Sequence, residues 1–179
     1  MTQKTTLFAI LILGMFAVVT AFFAGGLGKD PRALPSVMVG KSLPAFSLGD
    51  LDGNATYSNA DLPDEAFLLN VWGSWCPACH IEHPYLMELG QQIPIIGLNW
   101  PADNATEAAD GKAMLARAGN PYRMVIMDKD GKMTMDLGVY GAPETFLVSA
   151  DGTILHRHAG PLDATIWRER FVPLLEKKP

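Results

Sequence analysis

The chain contains two cysteines, three residues apart in Cys76-Pro77-Ala78-Cys79-His80. That spacing suits three chemistries. A C-x-x-C pair that follows a strand and opens a helix is a dithiol exchange site, and C-x-x-C-H is also the haem-attachment pattern of c-type cytochromes. With His83 added, Cys76, Cys79, His80 and His83 make a set of metal-ligating side chains. A crosslink over so short a loop gives little entropic stabilisation, and two cysteines do not make the disulfide framework of a small secreted domain. The pair is there for chemistry rather than for stapling.

The neighbouring residues favour dithiol exchange. A cysteine reacts as thiolate, and the free N–H groups at a helix N-terminus stabilise that charge. Cys76 stands where a helix begins, with Pro77 in the first turn, where a missing N–H costs nothing. Cys79 lies one turn on, the position of a resolving thiol. Haem attachment needs a helix lining an apolar pocket and a second axial ligand, for which the nine Met residues are candidates. Here the motif is bounded instead by an apolar run and Pro84. A closed zinc site draws on two separated pairs of ligands, and His80 falls off the face shared by Cys76, Cys79 and His83. His156 and His158 alternate with Arg157 and read as surface residues on a strand edge. Haem and zinc stand as alternatives behind dithiol exchange.

The elements that position the pair follow from pattern. Phe46-Ser47-Leu48 and Ala55-Thr56-Tyr57 flank Asp52-Gly53 as a hairpin. Residues 66–72 form an almost wholly apolar run, the mark of a strand buried on both faces. Residues 77–89 predict a helix and 93–99 the next strand, a parallel β-α-β unit with a right-handed crossover. Residues 106–118 predict a helix stopped at Gly119-Asn120-Pro121, and 123–127 a further strand. Asp128-Lys129-Asp130-Gly131 reads as a turn; the acidic positions of a calcium loop do not follow it. Residues 145–149 and 153–158 make a second hairpin around Asp151-Gly152, and 163–175 a final helix capped by Asp163, with Ile166, Trp167, Val172 and Leu175 as its apolar contacts.

Before this domain, residues 7–27 carry no charge and are dominated by Leu, Ile, Phe, Val and Ala. About 20 such residues match a bilayer core, whereas a cleaved signal needs only about 7–15. We read residues 1–27 as an uncleaved anchor, 28–39 as a tether stiffened by Pro31 and Pro35, and 40–179 as one exported domain. Val19-Thr20-Ala21 offers a cleavage site, so a cleaved export signal is the alternative. The net charge is −5 and Lys and Arg are not clustered, which excludes a nucleic-acid surface.

At this point a resemblance becomes specific. Asn70-Val71-Trp72-Gly73-Ser74-Trp75-Cys76-Pro77-Ala78-Cys79, Pro84 and Gly141-Ala142-Pro143-Glu144-Thr145-Phe146 resemble the active-site strand, helix proline and cis-proline loop of membrane-anchored thioredoxin-like proteins, and Gly138-Val139-Tyr140-Gly141-Ala142-Pro143-Glu144-Thr145 carries a narrower likeness. Within that group the chain is similar to the thiol:disulfide interchange family of cytochrome c maturation, called DsbE or CcmG. Asn120-Pro121-Tyr122 and His156-Arg157-His158-Ala159-Gly160 extend the match. The resemblance implies an α/β thioredoxin-like fold: a central mixed sheet flanked by helices, an N-terminal hairpin and a central helical insert, preceded by one transmembrane helix.

It also implies an activity, reduction of apocytochrome c disulfides before haem attachment. The implied setting is the bacterial inner membrane, with the catalytic domain in the periplasm. Implied partners are apocytochrome c, an inner-membrane electron-donating thiol:disulfide protein and the maturation machinery; no cofactor or metal is implied. A general disulfide oxidase or isomerase, or a module that binds apocytochrome with redox incidental, are the competing functions. Cys76 would attack and Cys79 resolve, with Trp75, Pro77, Ala142 and Pro143 touching the substrate and Pro143 cis. Asn70 stands where thioredoxins carry an aspartate and exchanges no proton, so Glu144 and then Glu82 are the acid–base candidates, and His80 a modulator of Cys76. Two departures, His80 in place of Arg or Lys and Trp100-Pro101-Ala102-Asp103 in place of Tyr-Lys-Asp, fall near the docking surface.

Overall fold

The structure is a computed structural model that describes residues 3–26, 37–103 and 105–176. It divides into two compact units, residues 1–35 and 36–179. Helix α1 (Gln3–Gly26) belongs to the first, and within it Thr5–Gly25 is long and apolar enough to cross a membrane. It fits a membrane anchor. The tether expected over 28–39 lies largely outside the described residues.

The second unit begins with a hairpin of β1 (Ser47–Gly49) and β2 (Thr56–Ser58), paired antiparallel with Leu48 opposite Tyr57. A five-stranded sheet follows, built from β3 (Phe67–Trp72), β4 (Ile95–Asn99), β5 (Met124–Met127), β6 (Glu144–Val148) and β7 (Ile154–Ala159). Their order is β5-β4-β3-β6-β7, with the first three parallel and the last two antiparallel to their neighbours. Every residue of β3 is buried, as its apolar run requires of a central strand. Helix α2 (Pro77–Leu89) joins β3 to β4, and α3 (Glu107–Ala118) joins β4 to β5.

Alternation along the strands sorts the core into two layers. Leu68, Trp72 and Leu147 pack with Cys76, Cys79, Leu86, Leu89, Met114, Tyr122 and Phe171. On the other face, Leu69, Val71, Phe146 and Val148 pack with Leu43, Ile96, Leu98, Ile126 and Met133.

Three features depart from the sequence reading. Helix α4 (Lys132–Asp136) follows the turn at 128–131 because the fully buried Asp128 accepts from the backbone N–H of Met133 (3.2 Å) and Thr134 (2.8 Å). The last helix is three pieces, α5 (Ala164–Ile166), a π-helical turn Trp167–Phe171, and α6 (Val172–Glu176), with Asp163 as N-cap. Its most deeply buried residue is Phe171, outside the expected set, placed edge-on against His156 with ring centroids 4.9 Å apart. The third concerns the histidines of β7. They do not decorate a solvent edge: His158 is buried, His156 is half-buried against Phe171, and the Arg157 side chain turns into the opposite layer.

Candidate active site

Helix α2 starts as its sequence dictates. Cys76 is the N-cap in extended geometry, Pro77 occupies the first turn, and the Cys76 Sγ accepts from the Cys79 N–H at 3.1 Å. Cys76 and Cys79 form a disulfide with their Cα atoms 5.3 Å apart, and both are buried in the layer that α2 covers. Pro84 lies inside the helix, and the peptide bond between Ala142 and Pro143 is cis. Ala142 packs against the same apolar layer as the two cysteines.

Glu82, one turn beyond Cys79, is buried on that face of α2. Its Oε1 accepts from Asn70 Nδ2 at 2.9 Å and its Oε2 from the Leu162 N–H at 2.8 Å. Burial pushes its carboxyl up from 4.5 to about 7, against the opposing pull of those two donors. Asn70 is held in turn: its Nδ2 also donates to Thr145 Oγ1 (3.0 Å), and its Oδ1 accepts from the Tyr122 hydroxyl (2.9 Å). Tyr122 stacks on Trp72, and burial, with the Glu82 charge second, holds its hydroxyl well above the ordinary tyrosine value.

Glu144 is placed elsewhere. It is buried, but its Oε2 accepts from Arg157 Nε at 2.7 Å and its Oε1 from the Tyr140 N–H at 3.1 Å. The Arg157 guanidinium lies 4.6 Å from the Tyr140 ring centroid and also over Phe146, in the layer away from the cysteines. Glu144, the first acid–base candidate by resemblance, is thus paired with Arg157 on the side of the sheet away from the disulfide. Thr145, its neighbour in β6, points toward Asn70, and alternation turns Glu144 to the other face.

Around the mouth, Trp75 is 43% exposed, donates from Nε1 to the Trp100 carbonyl (2.8 Å) and meets the Trp100 ring edge-on. Its indole folds back over Gly73, where a Cβ would overlap it. Pro77 is exposed and Pro143 buried. The exposed His80 sets Nε2 2.9 Å from the Ser74 carbonyl, and the buried His83 sets its Nε2 3.0 Å from the Gly119 carbonyl. Among the described residues no three His, Cys, Asp or Glu side chains converge as metal ligands. No chemistry read from the residues singles out Tyr122, Thr145 or Arg157 for the site, although each lies in one of the stretches that carry the resemblance.

A redox-active C-x-x-C at the head of a helix that leaves the central strand of a mixed sheet, facing a cis-proline loop, defines a thioredoxin-like thiol:disulfide oxidoreductase. The Redoxin family model matches residues 38–170, and the DsbE thiol:disulfide interchange protein of Pseudomonas aeruginosa is 43% identical over 170 residues, 94% of this chain and 92% of that protein. The chain belongs to the Redoxin family and, within it, to the DsbE (CcmG) thiol:disulfide interchange proteins. DsbE of Allochromatium vinosum is 44% identical over 172 residues, covering 94% of this chain and 93% of its own. A thio-disulfide isomerase from Thermus thermophilus shares the fold at TM-score 0.60 and 20% identity, over 77% of this chain and 97% of that one.

Proposed function

We propose that this protein is a membrane-anchored periplasmic reductant that opens disulfides in apocytochrome c before haem attachment. The observation that carries the reductant direction is Glu82, a carboxyl buried one turn past Cys79 with one donor on each oxygen, which burial pushes up to about 7. A carboxylate charge beside the pair disfavours thiolate, and a couple whose reduced form is poorly stabilised gives its electrons away. The helix N-terminus opposes this by favouring the Cys76 thiolate, which keeps the attacking sulfur reactive.

In this reading the Cys76 thiolate attacks one sulfur of the substrate disulfide, forming a mixed disulfide and releasing the other sulfur as a thiolate that takes a proton from water. Glu82, as carboxylate, accepts the Cys79 proton. The Cys79 thiolate attacks Cys76 Sγ, the mixed disulfide breaks, and the second substrate sulfur leaves as a thiolate that takes a proton from water. Two electrons pass to the substrate and the Cys76–Cys79 disulfide forms. Trp75, Pro77, Ala142 and Pro143 rim the sulfurs as the substrate-binding surface, with Ala142 offering backbone to an extended segment as in strand addition. An inner-membrane thiol donor then restores the dithiol.

The test is the reduction potential of the full chain against a glutathione series, together with the redox state of Cys76 and Cys79 in cells. A reducing potential with both thiols held reduced is expected. A value near about −120 mV, that of a strong periplasmic oxidant, overturns the direction.

A further inference from the structure

Glu107, the first residue of α3, has its carboxylate buried against the turn that leads into Cys76. Its Oε1 accepts from the Ser74 N–H and from Asn99 Nδ2, and its Oε2 from the Ser74 hydroxyl, each at 2.7 Å. The Ser74 carbonyl, meanwhile, meets His80 Nε2 at 2.9 Å. Every polar group of Ser74 is thus engaged, two of them by one side chain 33 residues away. Asn99 ends β4, in register with Trp72 at the end of β3, so the carboxylate ties the active-site turn to the sheet as well as to α3. A pocket of ≈ 360 Å³ opens beside it, lined by Trp75, His80, Asp110 and Arg117 among others.

We propose that Glu107 is a positioning residue for thiol exchange: by holding Ser74 at both N–H and O–H it sets the place of Trp75 and Cys76. The role depends on reach and acceptor geometry. Both bonds to Oε1 need only a carbonyl-type oxygen, and the Ser74 hydroxyl can reverse to accept from an amide. A Glu107→Gln side chain therefore preserves the clamp without the charge. A Glu107→Asp side chain keeps the charge and withdraws it by one methylene.

The experiment compares the full chain, reduced and in detergent, as wild type, Glu107→Gln and Glu107→Asp. It measures Cys76 alkylation by iodoacetamide across pH, and the rate of reduction of a synthetic peptide with an intramolecular C-x-x-C disulfide. Glu107→Gln is expected within about threefold of wild type and Glu107→Asp about tenfold slower in peptide reduction, the scale set by small misplacement of a reacting group. Circular dichroism establishes that the compared proteins are folded. Wild-type rates in both variants, or a slow glutamine beside a fast aspartate variant, overturn the proposal. If Glu107→Asp does not fold, Ser74→Ala replaces it, and an unchanged rate there is equally fatal.

Discussion

The Leu162 N–H donates to Oε2 of Glu82 from a position 80 residues further along the chain. With Asn70 on the other oxygen, it gives both oxygens of a buried carboxylate a donor. The pairing makes ionisation possible inside the core without making it easy, because burial still outweighs the two bonds.

Glu82→Gln is expected to flatten the pH dependence of stability. A carboxyl with a folded-state value near 7 and an ordinary value of 4.5 binds its proton more tightly when folded. Its contribution is present below about pH 4.5 and is lost as pH rises toward 7, a swing on the order of 3 kcal/mol. Urea unfolding of the oxidised protein at pH 4.5 and pH 8 measures it; an equal slope in wild type and Glu82→Gln contradicts the assignment.

Glu144 behaves differently under substitution. Glu144→Gln leaves the Arg157 guanidinium, whose side chain is 8% exposed, without its counter-charge. A loss of about 3–5 kcal/mol is expected, as for other broken buried pairs. The pH profile of thiol exchange in the folded protein should stay where it is. A profile displaced as far as that of Glu82→Gln would return Glu144 to the acid–base role.

Cys79→Ser removes the resolving sulfur and should accumulate a mixed disulfide through Cys76, visible on a non-reducing gel and released by dithiothreitol. Mass spectrometry of the trapped species identifies the substrate. Trapping through Cys79 in a Cys76→Ser variant at equal yield would reverse the roles.

Gly73→Ala places a methyl group where the Trp75 indole lies. The indole, at the rim, is expected to swing out and lose its bond to the Trp100 carbonyl at a cost of about 1 kcal/mol. Tryptophan fluorescence of the folded variant should shift toward that of a solvated indole; an unchanged spectrum argues against this packing.

Much of this site was legible in the sequence. The apolar run at 66–72 and Pro77 after Cys76 announced the strand and helix that carry the disulfide, since both signals are local. Glu82 was harder to read: it sits between Ile81 and His83 in a polar stretch, and its burial is set by Asn70 and Leu162, which only the fold brings near. Arg157 was hidden for the same reason, because His156-Arg157-His158 has no apolar alternation to reveal an inward face. Glu107 carries no local signal beyond its place at a helix start, where an acidic residue is ordinary. Its contact with Ser74 depends on how α3 returns to the sheet.

Glu144 and Thr145 are consecutive in β6 and serve opposite layers, the one bonded to Arg157 and the other to Asn70. Sliding β6 by one residue against β3 would exchange them, stranding the guanidinium and putting a carboxylate beside Asn70. A single inserted or deleted residue between Pro143 and Val148 would therefore damage fold and chemistry together, which makes this short strand a poor place for a tag, a graft or a length change.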